Sequence, residues 1–260
     1  MSVATVHTQV QGSTCFIRLA RPEARNAINA QMLAELQQAL DAHQACTVVV
    51  LEGGEDDFCF GADLGAVAHH GEAAVDPEQL YALWQRLAFG PQVSVAHVRG
   101  QANAGGVGFV AACDLVVAGP RASFSLSELL FDLLPACVMP FLVQRVGVQR
   151  ANRMALGTLA VGADEALRWG LVDVLEEQSE AALRRQLIRL RRLSPKAIAA
   201  HKRFMADADT VVSGLRDQAI AANRAVFADP RTRSAIARYV ETGLLPWEQG
   251  VAGPGQADVV

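Results

Sequence analysis

An α/β fold built on parallel strands and closed by a helical region is predicted by three observations. Short β-branched runs alternate with helical periodicities through the first half of the chain. After Gly119 the strand signals give way almost entirely to helices. No repeat or low-complexity segment interrupts either half. Strands that alternate with helices imply parallel pairing through right-handed crossovers.

Taken in order, residues 15–20 alternate in part between apolar and polar and stop at Arg21 and Pro22, a strand breaker. Residues 28–43 place Ile28, Met32, Leu36 and Leu40 four apart, the spacing of one helix face. Residues 47–51 (Thr-Val-Val-Val-Leu) are short, β-branched and followed by Gly53 and Gly54, so they read as a buried strand. Residues 93–98 and 114–118 read the same way. Between these strands Asp76 and Pro77 open a helix that runs to Phe89, with proline in the first turn, where its missing N–H costs nothing. Beyond Gly119, residues 127–131, 135–146, 149–156 and 164–169 read as short helices, with one more short strand at 171–175. The remainder is helical: 180–193, 195–207, 214–227 and 230–241. The arginines of 184–192 interleave with Leu187, Ile188 and Leu190 at helical spacing, so they form the solvated face of an amphipathic helix rather than a nucleic-acid patch. Residues 250–260 begin rich in glycine, alanine and proline and are expected to fray.

Composition narrows the function. The 260 residues suffice for one large domain, or a domain with an appendage, and 51% hydrophobic against 19% charged residues supports a sizeable core. A net charge of −4 argues against a nucleic-acid or anionic-membrane partner. No apolar run reaches membrane-spanning length, and the richest, residues 107–118, is interrupted by Asp114. The N-terminus has no basic stretch followed by an apolar one, so no signal peptide is expected. Cys15, Cys46, Cys59, Cys113 and Cys137 are scattered in apolar surroundings, as suits reduced thiols in the cytoplasm. Cys59 and Cys137 are the conceivable nucleophiles, and buried thiols are usually inert. His69 and His70 alone do not make a ligand set, and no metal is expected.

Two glycine- and alanine-rich segments carry the chemistry: residues 58–64 (Phe-Cys-Phe-Gly-Ala-Asp-Leu) and 100–109 (Gly-Gln-Ala-Asn-Ala-Gly-Gly-Val-Gly-Phe). Each follows an apolar strand and leaves backbone N–H groups uncovered. Two such groups converging on one carbonyl oxygen make an oxyanion hole for a thioester that ionises to its enolate.

The two segments, in this order, resemble those of the crotonase (enoyl-CoA hydratase/isomerase) superfamily. The resemblance extends to Arg21–Ala27 before the first helix, Gly61–Asp63, Ala104–Gly106, Cys113 with Asp114, and the run 162–172. It implies a crotonase spiral of ββα units over residues 1–195 and a C-terminal helical trimerisation region over 196–260. It also implies an oxyanion hole from the amides of Ala62 and Gly105, with Ala24, Phe60, Asp63 and Gly106 around the substrate. Usual hydratases of the family carry two glutamates. The position of the first is Gly108 here; that of the second is Glu128. Burial of Glu128 in its apolar run would raise its pKa into the range of proton transfer, although residues 125–128 (Ser-Leu-Ser-Glu) also fit a helix capping box.

A narrower resemblance lies in residues 125–142 and 240–248. They look like the dehydratases of polyketide β-branching, which remove water from 3-hydroxy-3-methylglutaryl-ACP (ACP, acyl carrier protein) to give 3-methylglutaconyl-ACP. The lysine that many CoA-using members place near the CoA phosphates is Gly65 here, which points to an ACP, although Arg25 is a possible substitute cation. The reading therefore expects no cofactor beyond the phosphopantetheine of ACP or CoA that carries the substrate. Glu128 is the expected base, Asn103 the expected donor to the leaving hydroxyl, and Arg86, His69 or His70 the expected partner of the distal carboxylate. A Δ3,Δ2-enoyl-CoA isomerase, a 3-methylglutaconyl-CoA or other enoyl-CoA hydratase, and a non-catalytic or RNA-binding homologue are the competing readings. A homotrimer or hexamer is expected, with the stripe of Ile188, Ile198, Phe204, Ile220 and Phe227 available for burial.

Overall fold

The computed structural model describes residues 3–70 and 75–248. An antiparallel hairpin, β1 (Val6–Gln11) and β2 (Thr14–Leu19), leads through α1 (Ala30–Ala42) to β3 (Val48–Glu52), which pairs parallel to β2. The chain then winds in repeated turns. One gives β3 and β4 (Asp57–Cys59), followed by α2 (Leu64–His70) and α3 (Pro77–Phe89). The next gives β5 (Val93–Val98), β6 (Gln101–Asn103) and α4 (Gly105–Ala112). The third gives β7 (Leu115–Ala118) and β8 (Ser123–Ser125), followed by α5 (Met139–Val146) and α6 (Val148–Gly157). Each turn contributes one strand to a six-stranded sheet, ordered β1-β2-β3-β5-β7-β10, and one to a four-stranded sheet, ordered β4-β6-β8-β9. This is the expected spiral of ββα units. β9 (Val161–Gly162), α7 (Ala163–Trp169) and β10 (Val174–Leu175) complete the sheets, and α8 (Ser179–Leu190), α9 (Pro195–Ala208), α10 (Val212–Ala228) and α11 (Pro230–Thr242) follow.

β3 and β5 are buried along their whole length, which explains the apolar run of β3, while the polar Ser94 and His97 of β5 are satisfied by the Leu87 carbonyl and by Glu52. β1 is exposed at five of its six positions and reads as polar, so no strand is expected there from sequence. β4, β6 and β8 are three residues each, too short to display a period of two. The anticipated strand at 171–175 shortens to β10. Asp76 caps α3 where that helix is expected to open, and Asn29 and Ser194 cap α1 and α9.

An aromatic cluster joins α3 to α4 and α5. Trp84 meets Phe109 and Phe141 edge-on, with centroids 5.8 and 5.7 Å away, and Tyr81 lies 5.0 Å from Phe141. The Tyr81 hydroxyl donates to the Val212 carbonyl (2.6 Å), which ties α10 to the same cluster. Buried Lys202 fastens α9, donating to the carbonyls of Leu87 and Gln92 and to Asp114 Oδ2 (2.6 Å). α11 folds back over α2 and the turn at Glu128–Phe131, where Ile236 packs with Val67 and Phe131. Of the expected apolar stripe, Ile198 and Ile220 are buried within the chain, whereas Ile188 (55%) and Phe204 (69%) are exposed.

Candidate active site

A cavity of about 560 Å³ opens where the two glycine-rich segments meet the turn at Glu128 and the returning helices α10 and α11. The loop before α1 builds its first wall. Arg25 and Asn26 adopt left-handed backbone conformations (φ 52° and 54°) and reverse the chain. The Asn26 side chain then accepts from the Arg21 N–H and donates to the carbonyls of Asp57 and Phe58, sewing the loop to β4. Arg21 pairs with Asp63 (2.9 Å). The Ile28 N–H donates to the Gly61 carbonyl and the Asp63 N–H to the Ile28 carbonyl, so the Ala62 peptide between them is clamped while its own N–H has no acceptor among the described residues.

The second segment supplies the matching amide. Gly105 is the first residue of α4, so its N–H has no acceptor within the helix. Gly61 has φ +87°, and a Cβ there would lie 2.7 Å from the Ala104 Cβ and 3.3 Å from the Gly105 nitrogen, so only glycine lets the two segments touch. Ala62 and Gly105 both line the cavity. Two N–H groups on touching segments, one at a helix N-terminus, are suited to holding a developing oxyanion.

Glu128 also lines the cavity. Its Oε2 is buried and has no hydrogen-bond partner among the described residues. Burial pushes its pKa from 4.5 up to about 7, against the opposing pull of the backbone N–H groups of Glu128 and Ser127. The capping box that residues 125–128 also fit does not form: Ser125 Oγ donates to Asn103 Oδ1 (2.8 Å) instead. Asn103 Nδ2 in turn donates to Ser127 Oγ (2.9 Å). Asn103, expected to hold the leaving hydroxyl, lines the cavity and gives one of its two amide hydrogens to Ser127.

Other expected positions fall as follows. Ala24, Phe60 and Asp63 line the cavity. Gly106 does not: a Cβ there would run into the Cys59 carbonyl, so this glycine serves packing against β4. Arg86 does not either. It points from α3 to Asp41 (2.7 Å), leaving Leu80 and Trp84 to face the cavity. His69 and His70 end α2, and their side chains lie outside the described residues. The thiols of Cys59 and Cys137 are pushed up to about 12 by burial, which keeps them protonated. Among the described residues no cluster of three or more His, Cys, Asp or Glu side chains is arranged to hold a metal, and no helix is long and apolar enough to cross a membrane. Arg25 lies over the Phe60 ring (3.4 Å) and pairs with Asp57 (2.7 Å).

The position of the missing glutamate has a physical occupant. A Cβ on Gly108 would collide with the Trp84 indole, so α3 fills the space where usual hydratases carry their first carboxylate. Sequence reading did not identify Trp84, Ser127, Asn223 or Tyr239 as lining residues. Ser127 stands beside Glu128 in the motif, whereas Trp84, Asn223 and Tyr239 lie on helices distant in sequence.

The enoyl-CoA hydratase/isomerase family model matches residues 9–250. The chain belongs to that family. This crotonase-fold enzyme, of hydratase/dehydratase type, is 47% identical over 250 residues to the bacillaene synthase dehydratase PksH of Bacillus subtilis, covering 94% of this chain and 96% of that one. It is 33% identical over 207 residues to the 2,3-dehydroadipyl-CoA hydratase of Escherichia coli, covering 77% of this chain and 81% of that one. The crystal structure of the Bacillus subtilis PksH superposes with a TM-score of 0.91 at 46% identity, covering 94% of this chain and all of the other.

Proposed function

We propose that this enzyme removes water from 3-hydroxy-3-methylglutaryl-ACP to give 3-methylglutaconyl-ACP during polyketide β-branching. The observation that carries the reading is the buried carboxyl group of Glu128, whose Oε2 has no partner among the described residues, facing the same cavity as the amides of Ala62 and Gly105 while Trp84 excludes a second carboxylate at Gly108. The thioester oxygen sits between the N–H groups of Ala62 and Gly105. Glu128, as carboxylate, takes a proton from Cα, and the amides hold the enolate. Expulsion of the C3 hydroxyl follows, and Glu128 returns its proton to the departing oxygen. One residue thereby serves both halves of a syn elimination, and no cofactor enters beyond the phosphopantetheine that carries the acyl group. Likeness to the PksH dehydratase supports both the reaction and the carrier. Gly65 in place of a phosphate-binding lysine supports an ACP as well. Arg25, at the edge of the cavity, is engaged with Asp57 and Gln101. The enzyme works in the cytoplasm as a trimer or a pair of trimers, for which exposed Ile188 and Phe204 offer apolar surface; light scattering on the purified protein reads the subunit number.

The test is intact-mass analysis of the protein incubated with the 3-hydroxy-3-methylglutaryl group on ACP and on CoA. Loss of one water, faster on ACP, is the expected result. A second reading, Δ3,Δ2-enoyl thioester isomerisation, also needs only one glutamate. Absence of water loss on both carriers, with turnover of a 3-enoyl thioester, would establish it instead.

A further inference from the structure

The departing hydroxyl needs a donor that holds its oxygen while the C–O bond breaks; Asn103 lines the cavity but gives one of its two amide hydrogens to Ser127. Pairing of β6 with β8 sets Asn103 directly opposite Ser125. Ser125 Oγ gives its hydrogen to Asn103 Oδ1, which turns the amide nitrogen toward Ser127, and Asn103 Nδ2 donates to Ser127 Oγ. Ser127 is therefore the acceptor at the end of an ordered chain. A hydroxyl that accepts still has its own hydrogen to give. The Ser127 hydrogen has no acceptor among the described residues, although Ser127 lines the cavity and directly precedes Glu128. Ser127 Oγ is also not spent on capping the turn that begins at Glu128.

We infer that Ser127 is a catalytic residue whose hydroxyl donates to the departing C3 oxygen, with Asn103 and Ser125 as positioning residues that aim it. The inference rests on the dehydration proposed above. In the step, Glu128 takes the Cα proton and the C–H electron pair moves into the thioester as an enolate. That pair returns to form the Cα=Cβ double bond as the Cβ–O bond breaks. The oxygen leaves as water, taking the proton from Glu128, while Ser127 keeps its own. The two sets of donors thus divide the labour: backbone amides stabilise the enolate, and the Ser125–Asn103–Ser127 chain stabilises the leaving group.

This division predicts that ionisation and elimination can be separated. Ser127→Ala and Ser127→Gly proteins are incubated in D2O with the 3-hydroxy-3-methylglutaryl thioester of ACP and of pantetheine, and both Cα deuterium uptake and water loss are followed by mass and NMR. Dehydration should fall about 100-fold, the cost of losing one donor to a developing charge. Deuterium uptake at Cα should then outpace dehydration, because Glu128 and the amides still form the enolate. Glu128→Gln should abolish both. Dehydration within about threefold of wild type, or deuterium uptake no faster than dehydration in both variants, would overturn the role of Ser127. A wild-type protein that dehydrates neither thioester would fail the dehydratase reading, and the role of Ser127 with it. The wild-type arm thus tells the two failures apart.

Discussion

In the proposed elimination Glu128 loses and regains a proton near neutral pH, and burial sets its pKa at a cost in folding. A carboxyl whose pKa rises from 4.5 to about 7 on folding favours the folded state fully below about pH 4.5, and that contribution disappears as the pH rises through 7. Glu128→Gln should therefore unfold at higher denaturant than wild type at pH 8, by on the order of 3 kcal/mol, and at nearly the same denaturant at pH 4. Chemical denaturation at the two pH values checks this. Since the base must be ionised, dehydration by the wild type should rise with pH through about 7 and then level, read as kcat/KM across pH 5–9. At Gly108, restoring a glutamate should not create a two-carboxylate hydratase. The new side chain must displace the Trp84 indole, so Gly108→Glu should lower the melting temperature and bring no gain in hydration of an enoyl thioester. Glu128 and the two amides were legible from their motifs. The blocking of Gly108 by Trp84 was not, because the two positions are 24 residues apart and only packing joins them.

Two polar assemblies hold the elements together. Asp114 opens the strand-like run 114–118 in the sequence, but its Oδ2 accepts from the Ser94 N–H and from Lys202 Nζ, stapling α9 across β5 and β7. Lys202→Ala leaves the Leu87 and Gln92 carbonyls without their donor and should cost about 1–3 kcal/mol in denaturation, with little change in KM for a protein that remains folded. In the second assembly, Glu52 on β3 meets His97 Nδ1 (3.0 Å), and His97 Nε2 meets Ser179 Oγ (3.0 Å) at the start of α8. The row has the composition of a serine hydrolase triad, yet Ser179 is buried and does not line the cavity. It serves as a tie between the large sheet and α8. Ser179→Ala should cost about 1–2 kcal/mol while leaving dehydration unchanged, measured by thermal melts and turnover side by side. Neither assembly is visible as a sequence motif, because each joins residues separated by 20 or more positions.

The molecule as a whole is a spiral whose open end is closed by its own C-terminal helices. Tyr239 on α11 meets Phe131 edge-on with centroids 4.8 Å apart, and Asn223, Phe227 and Tyr239 all line the cavity. Tyr239→Ala should open this wall and raise KM for the acyl thioester about tenfold, roughly 1.4 kcal/mol, with a smaller effect on the folding transition. The tail is thus part of the substrate cavity as well as a carrier of the exposed apolar side chains Ile188 and Phe204.

The sequence alone determined the alternation of strands and helices, the positions of α1 and α3, the two amide-bearing segments and the lone glutamate. These depend on local periodicity, capping and short motifs that a few consecutive residues carry in full. Tertiary structure decided what surrounds them. It turned Arg86 away to Asp41, gave Gly106 to packing, engaged the Asn103 amide with Ser127, and brought α10 and α11 over the site. Each of these is a matter of which distant side chain occupies a given space, and that is settled only when the turns of the spiral stack.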